Sequence, residues 1–171
     1  MRFRTIQPLS PVAWLLTPAA LCVPPILLLA VPIKLFGLQL PEPVFAMAPA
    51  FAWAVIRPSI LPPFLLTAVG LFQDLVWGGP LGLWPLCLLT IYGLAFSARR
   101  VLTSEGFWAL GAWYGATSAA SFGVGLVLTA LAAGEAPSLL GVGLQFLVTL
   151  ALFPLAWMLI ERFEDADVRF R

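Results

Sequence analysis

The chain has 171 residues, 61% hydrophobic and only 10% charged, with a formal net charge of +1, whereas a soluble domain carries about 25% charged residues. The absence of histidine removes imidazole bases and histidine metal sites, and the balanced charge leaves no footprint for nucleic acid. Many of the charges (Glu161, Arg162, Glu164, Asp165, Asp167, Arg169, Arg171) crowd into the C-terminal segment, the longest polar stretch, which is too short for a soluble catalytic domain.

The charge-free stretches 5–33, 75–98, 106–134 and 136–160 each exceed the roughly 20 residues a helix needs to cross a bilayer. The expected class is therefore an all-α polytopic membrane protein, a single domain over 1–160 with about six transmembrane helices and short loops. The first span is expected over about 11–34. Its length, and the lack of an A-x-A site, favour a span over a signal peptide. Pro18, Pro24, Pro25 and Pro32 predict a kinked or broken helix.

Glu42 and Arg57 bracket a second segment, 43–57, that is short for a crossing; a short span is favoured over a re-entrant one. Pro58 and Pro62-Pro63 stiffen the turn into a third span over 59–77, which carries Asp74, a charge well inside an apolar run. Gly78-Gly79-Pro80 signals a tight turn, with proline placed to open the next helix. The remaining spans are expected over 81–98, 107–133 and 138–160, followed by a charged tail over 161–171. With an inside N-terminus, Arg2, Arg4, Arg57, Arg99, Arg100, Arg162, Arg169 and Arg171 all fall on the inner side and only Lys34 on the outer. That partition predicts cytoplasmic termini.

Chemistry-bearing residues are few. Asp74 lies roughly 22 Å from the inner boundary at 1.5 Å per residue, so near the outer interface. The first expectation for it is a carboxylate tying the turn between the third and fourth spans, facing the free N–H groups of the next helix; a partner or cavity role comes second, and proton handling last. Cys22 and Cys87 sit in apolar runs without CxxC spacing and are read as small buried apolar residues. The ladders Ala46/Ala50/Ala54 and Gly111/Gly115/Ala119/Gly123 suit close helix packing, with a partner helix as the alternative. Thr117, Ser118 and Ser121 can bond carbonyls of their own helix, and Gln145 is expected to make an interhelical hydrogen bond. Trp14, Trp77, Trp84, Trp108 and Trp157, near the expected span ends, are read as interfacial anchors. The tail ERFEDADVRFR is read as solvated or as a short amphipathic extension, with docking to a cytoplasmic partner as the sharper alternative.

One segment carries a resemblance. Arg57-Pro58, Gly70-Leu71-Phe72-Gln73-Asp74-Leu75, Gly78-Gly79-Pro80-Leu81-Gly82-Leu83, Tyr92 and Arg99-Arg100 together resemble the rod shape-determining protein MreD family. That family has an R-P turn, a G-L-x-x-D-L stretch, a G-x-P-L-G-L turn and a helix ending in paired basic residues. The match covers residues 57–100; elsewhere the similarity is one of hydropathy. The resemblance implies a non-enzymatic inner-membrane subunit of the bacterial cell-elongation complex, without cofactors. Its partner would be MreC, linked through it to the MreB filament, RodA and a penicillin-binding transpeptidase. It also implies a fold similar to the substrate-binding subunits of energy-coupling-factor transporters. The residues it singles out are Arg57, Pro58, Gly70, Asp74, Gly78, Pro80, Gly82, Arg99 and Arg100. The alternative functions are a vitamin-transporter subunit of that fold, which needs a polar cavity, and an intramembrane enzyme, for which only Asp74 and Glu135 offer outer-side carboxylates.

Overall fold

The computed structural model describes residues 13–30, 34–35, 38–39, 41–56, 59–103, 105–134 and 137–167. Among these, the chain forms α1 (Ala13–Leu29), a hairpin of β1 (Lys34–Leu35) and β2 (Leu38–Gln39), then α2 (Met47–Ile56), α3 (Leu61–Trp77), α4 (Leu83–Leu102), α5 (Phe107–Ala133), α6 (Leu139–Leu150) and α7 (Phe153–Asp167). Three helical stretches are long and apolar enough to cross a membrane: Leu83–Leu102, Phe107–Ala133 and Leu139–Arg162. The last of these is α6 continued by α7 through a turn at 151–152. Pro154 explains the break, because it cannot donate to the carbonyl of Leu150.

Several boundaries differ from the expectations. The first span ends at Leu29, short of Lys34, which instead opens the hairpin paired Lys34↔Gln39 and Leu35↔Leu38. The helix of the second segment covers only ten residues, about 15 Å, half of a hydrocarbon core roughly 30 Å thick. The fourth helix does not stop at residue 98; it runs one turn further and carries Arg99 and Arg100 inside its last turn. Cations there complement the carbonyl end of the helix. The charged C-terminal segment is helical through Asp167, as a continuation of α7.

α2 is the centre of the molecule. Met47 through Val55 are all buried, packed against α3, α4 and α7. The Ala46/Ala50/Ala54 ladder is buried completely within this core, and removing bulk along that stripe lets neighbouring backbones approach. Outside it, α4 packs against α3 and α5, α5 against α6 and α7, and α1 against α3. The glycine ladder of α5 divides in two. A Cβ at Gly111 would meet the Phe153 ring at 3.1 Å and one at Gly115 would meet Leu150 at 3.6 Å, while at Gly123 there is open space.

Candidate functional site

The α3–α4 hairpin gathers most of the residues singled out in the sequence. α3 opens with proline in its first turn, where the missing N–H has no helical partner to lose. It closes on Gly78 with φ 71°, whose N–H donates to the Asp74 carbonyl at 3.0 Å. Glycine is required there because a Cβ disfavours the left-handed region. Gly82 has φ 97° and precedes α4. Between them Pro80 is exposed, and its carbonyl accepts from Leu83 N–H at 3.2 Å.

The side chain of Asp74 is only 1% exposed. One carboxylate oxygen accepts from Gly82 N–H at 2.6 Å and the other from Trp84 N–H at 3.0 Å. A distant side chain thus takes the N-cap position that Gly82, lacking one, leaves empty. Four residues earlier, Gly70 lets α3 touch α4. A Cβ there would lie 2.5 Å from the backbone nitrogen of Pro85 and 2.7 Å from its Cα. Gly70, Asp74, Gly78, Pro80 and Gly82 therefore build one unit, a close helix crossing locked by a carboxylate.

Arg99 and Arg100 lie at the other end of α4. Arg99 Nε donates to the Val55 carbonyl at 3.0 Å and Nη2 to the Ile56 carbonyl at 3.2 Å, so it caps the C-terminus of α2 from a neighbouring helix. Arg100 is exposed. Tyr92, half-way along, donates its hydroxyl to the Ser59 carbonyl at 3.4 Å. Arg57, Pro58 and Glu135 lie outside the described residues.

Other polar side chains tie helices together, and some do so against expectation. Trp84 is buried and Trp77 half-buried: their rings meet edge to face at 5.4 Å, and Trp77 Nε1 donates to the Ile26 carbonyl of α1 at 3.1 Å. Ser121 bonds across to the Cys87 carbonyl of α4 at 2.7 Å instead of within α5, whereas Thr117 stays on the Trp113 carbonyl of its own helix. Gln145 donates to the Glu42 carbonyl at 3.0 Å, across to the segment leading into α2. Thr149, not anticipated from the sequence, accepts from Val44 N–H at 3.1 Å and passes its own proton to the Gln145 carbonyl at 2.7 Å. Tyr114 completes this cluster by donating to the Thr149 carbonyl at 3.2 Å. Two backbone groups of the irregular segment before α2, the Glu42 carbonyl and the Val44 N–H, are thereby satisfied by side chains of α6.

Gln73, which enters the sequence reading only as part of the G-L-x-x-D-L stretch, is fully buried beside Asp74, and its amide, the Trp53 indole and the Ser118 hydroxyl have no hydrogen-bond partner among the described residues. Gln73 falls on the buried face that Leu66 and Gly70 already mark, so its spacing along α3 is the signal that places it inward.

The clefts are walled mainly by apolar side chains. One of about 250 Å³ lies among Pro18, Cys22, Pro25, Phe45 and Leu155, and one of about 280 Å³ among Leu94, Trp113 and Ala116. No group of three His, Cys, Asp or Glu side chains able to hold a metal occurs among the described residues. What the arrangement offers chemically is a set of hydrogen-bonded ties between helices. No family model, no curated protein and no solved structure matches the chain.

Proposed function

We propose that the chain is a non-enzymatic subunit of the bacterial cell-elongation complex, an MreD-like scaffold in the inner membrane with both termini in the cytoplasm. Its helices would receive the single membrane span of MreC and so help place RodA and its penicillin-binding transpeptidase relative to the MreB filament. The fold would then be that of the substrate-binding subunits of energy-coupling-factor transporters, turned from transport to assembly.

The observation that carries the reading is the coherence of the motif over residues 57–100. Gly70, Asp74, Gly78, Pro80 and Gly82 are separate letters in the sequence but one hydrogen-bonded hairpin in space. Supporting it, the buried Asp74 and Thr149 and the half-buried Arg99 and Gln145 are engaged in holding helices to one another. A rigid bundle with apolar outer faces suits a protein that works by contact with other helices in lipid, where packing replaces the hydrophobic effect.

The test is co-purification from native membranes through a tag after Arg171, with the associated proteins identified by mass spectrometry. Recovery of MreC together with elongation synthases is the expected result. Recovery of a paired ATPase module and its transmembrane coupling subunit would mean a vitamin-transporter subunit, and would overturn the scaffold reading.

A further inference from the structure

At the end of the α3–α4 pair opposite the Asp74 turn, an open cleft of about 500 Å³ is lined by Ser59, Ile60, Pro63, Phe64, Tyr92 and Phe96. Its size falls within the roughly 300–1,000 Å³ of small-molecule sites. The lining is almost wholly hydrocarbon and aromatic. Ile60 is 79% and Phe64 71% exposed, and the Tyr92 and Phe96 rings stack at 6.2 Å with an interplanar angle of 8°. The tyrosine hydroxyl donates to the Ser59 carbonyl, so the one polar tip on this wall is already engaged.

A charged residue follows the lining residues along α4. Tyr92, Phe96 and Arg100 are spaced four apart on α4 and so share one face, with Arg100 about 6 Å beyond Phe96 along the axis. Arg99, its neighbour, is committed to the α2 carbonyls. Arg100 is exposed, and no carboxylate pairs with it among the described residues. One turn beyond the apolar lining of α4 there is thus an exposed guanidinium, near the end of a helix long and apolar enough to cross a membrane.

We propose that this cleft is a binding site for an anionic phospholipid, one acyl chain lying against Ile60, Phe64 and Phe96 and the phosphate held by Arg100. A guanidinium presents a planar pair of donors that matches phosphate oxygens. An anionic headgroup is favoured over a zwitterionic one because the ammonium of the latter would face the same cation. The site stands whether or not the scaffold reading is correct, since it rests on the α3–α4 pair alone.

Native mass spectrometry of the purified full-length protein, equilibrated with equal phosphatidylglycerol and phosphatidylethanolamine, reads the site directly. The expected excess of bound phosphatidylglycerol is about five-fold, the ratio that corresponds to roughly 1 kcal/mol per arginine near a charged surface. Arg100→Gln should bring that ratio close to one, while Arg162→Gln, at another exposed arginine, leaves it in place. Phe64→Asn, at a position 71% exposed, should lower retention of both lipids, with circular dichroism checking that the variant keeps its helix content. Equal retention by the unmodified protein would overturn the proposal. So would a loss of preference as large in Arg162→Gln as in Arg100→Gln, or full lipid retention by Phe64→Asn.

Discussion

Asp74 is a buried carboxylate with both oxygens occupied by backbone N–H groups. A charged acceptor makes stronger hydrogen bonds than a neutral one, and donors left unpaired in the interior carry the full desolvation penalty. Asp74→Ala strands the N–H groups of Gly82 and Trp84 together, and we expect it to destabilise the protein by about 3 kcal/mol. Asp74→Asn keeps one good acceptor and should cost about 1 kcal/mol. Unfolding of the detergent-solubilised variants, followed by circular dichroism against denaturant, measures both. An Asp74→Ala protein as stable as the parent would show that the carboxylate is not a structural tie. Because the tie shapes only one end of the hairpin, the same variant separates stability from binding: a folded protein that no longer co-purifies with the proposed partner would show that the turn held by Asp74 is needed for the contact.

At the scale of elements, the crossing of α3 and α4 depends on the missing side chain at Gly70. A methyl group there would sit 2.5–2.8 Å from Pro85, mostly against backbone that cannot move aside. Overpacking of this kind costs about 1–3 kcal/mol, so Gly70→Ala should lower the melting temperature clearly. Gly93 is the internal control: it lies in the same α4, and an added Cβ meets nothing within 4 Å. Gly93→Ala should be neutral or stabilising by up to about 1 kcal/mol through helix propensity. Equal effects from the two substitutions would mean that the crossing is not set by Gly70. The helices themselves were legible from charge-free runs and the Gly-Gly-Pro turn, because lipid-like composition and missing N–H groups act locally. The extension of α4 through Arg99 and Arg100 was legible only through the family resemblance, since by itself a basic pair marks a membrane boundary and a helix C-terminus equally well. The contacts of Trp77 and Trp84 with neighbouring helices were not legible. An indole near a span end looks the same in sequence whether it faces headgroups or a neighbouring helix, and only the Ile26 carbonyl decides between them. The two-residue strands of the hairpin are too short to show any alternation.

Across the whole molecule, the helix with the least length has the most protection. α2 is only ten residues long, too short to hold itself together by propensity. Its stability must come from enclosure by α3, α4 and α7. Polar ties secure its two ends: Gln145 and Thr149 hold the segment before it, and Arg99 holds the carbonyls after it. By contrast α1, with Pro18, Pro24 and Pro25 inside it, is tied at its far end by the Trp77 bond. Amide exchange follows the free energy of opening, low for elements with few buried contacts and near the global value for a core helix. In nanodiscs, therefore, the amides of α2 should exchange only with global unfolding, and those of α1 orders of magnitude sooner. Arg99→Gln should accelerate exchange at Val55 and Ile56 at least tenfold, since a hydrogen bond from a charged donor contributes about 1.5 kcal/mol or more and 1.4 kcal/mol is tenfold. The middle of α2 should stay protected in that variant, because Ala50 and Phe51 are buried whatever caps the end. If α1 and α2 exchanged at one rate, the bundle would open as a single unit and α2 would not be its core. If Arg99→Gln instead released all of α2 together, the arginine would be holding the helix in place rather than capping its last turn.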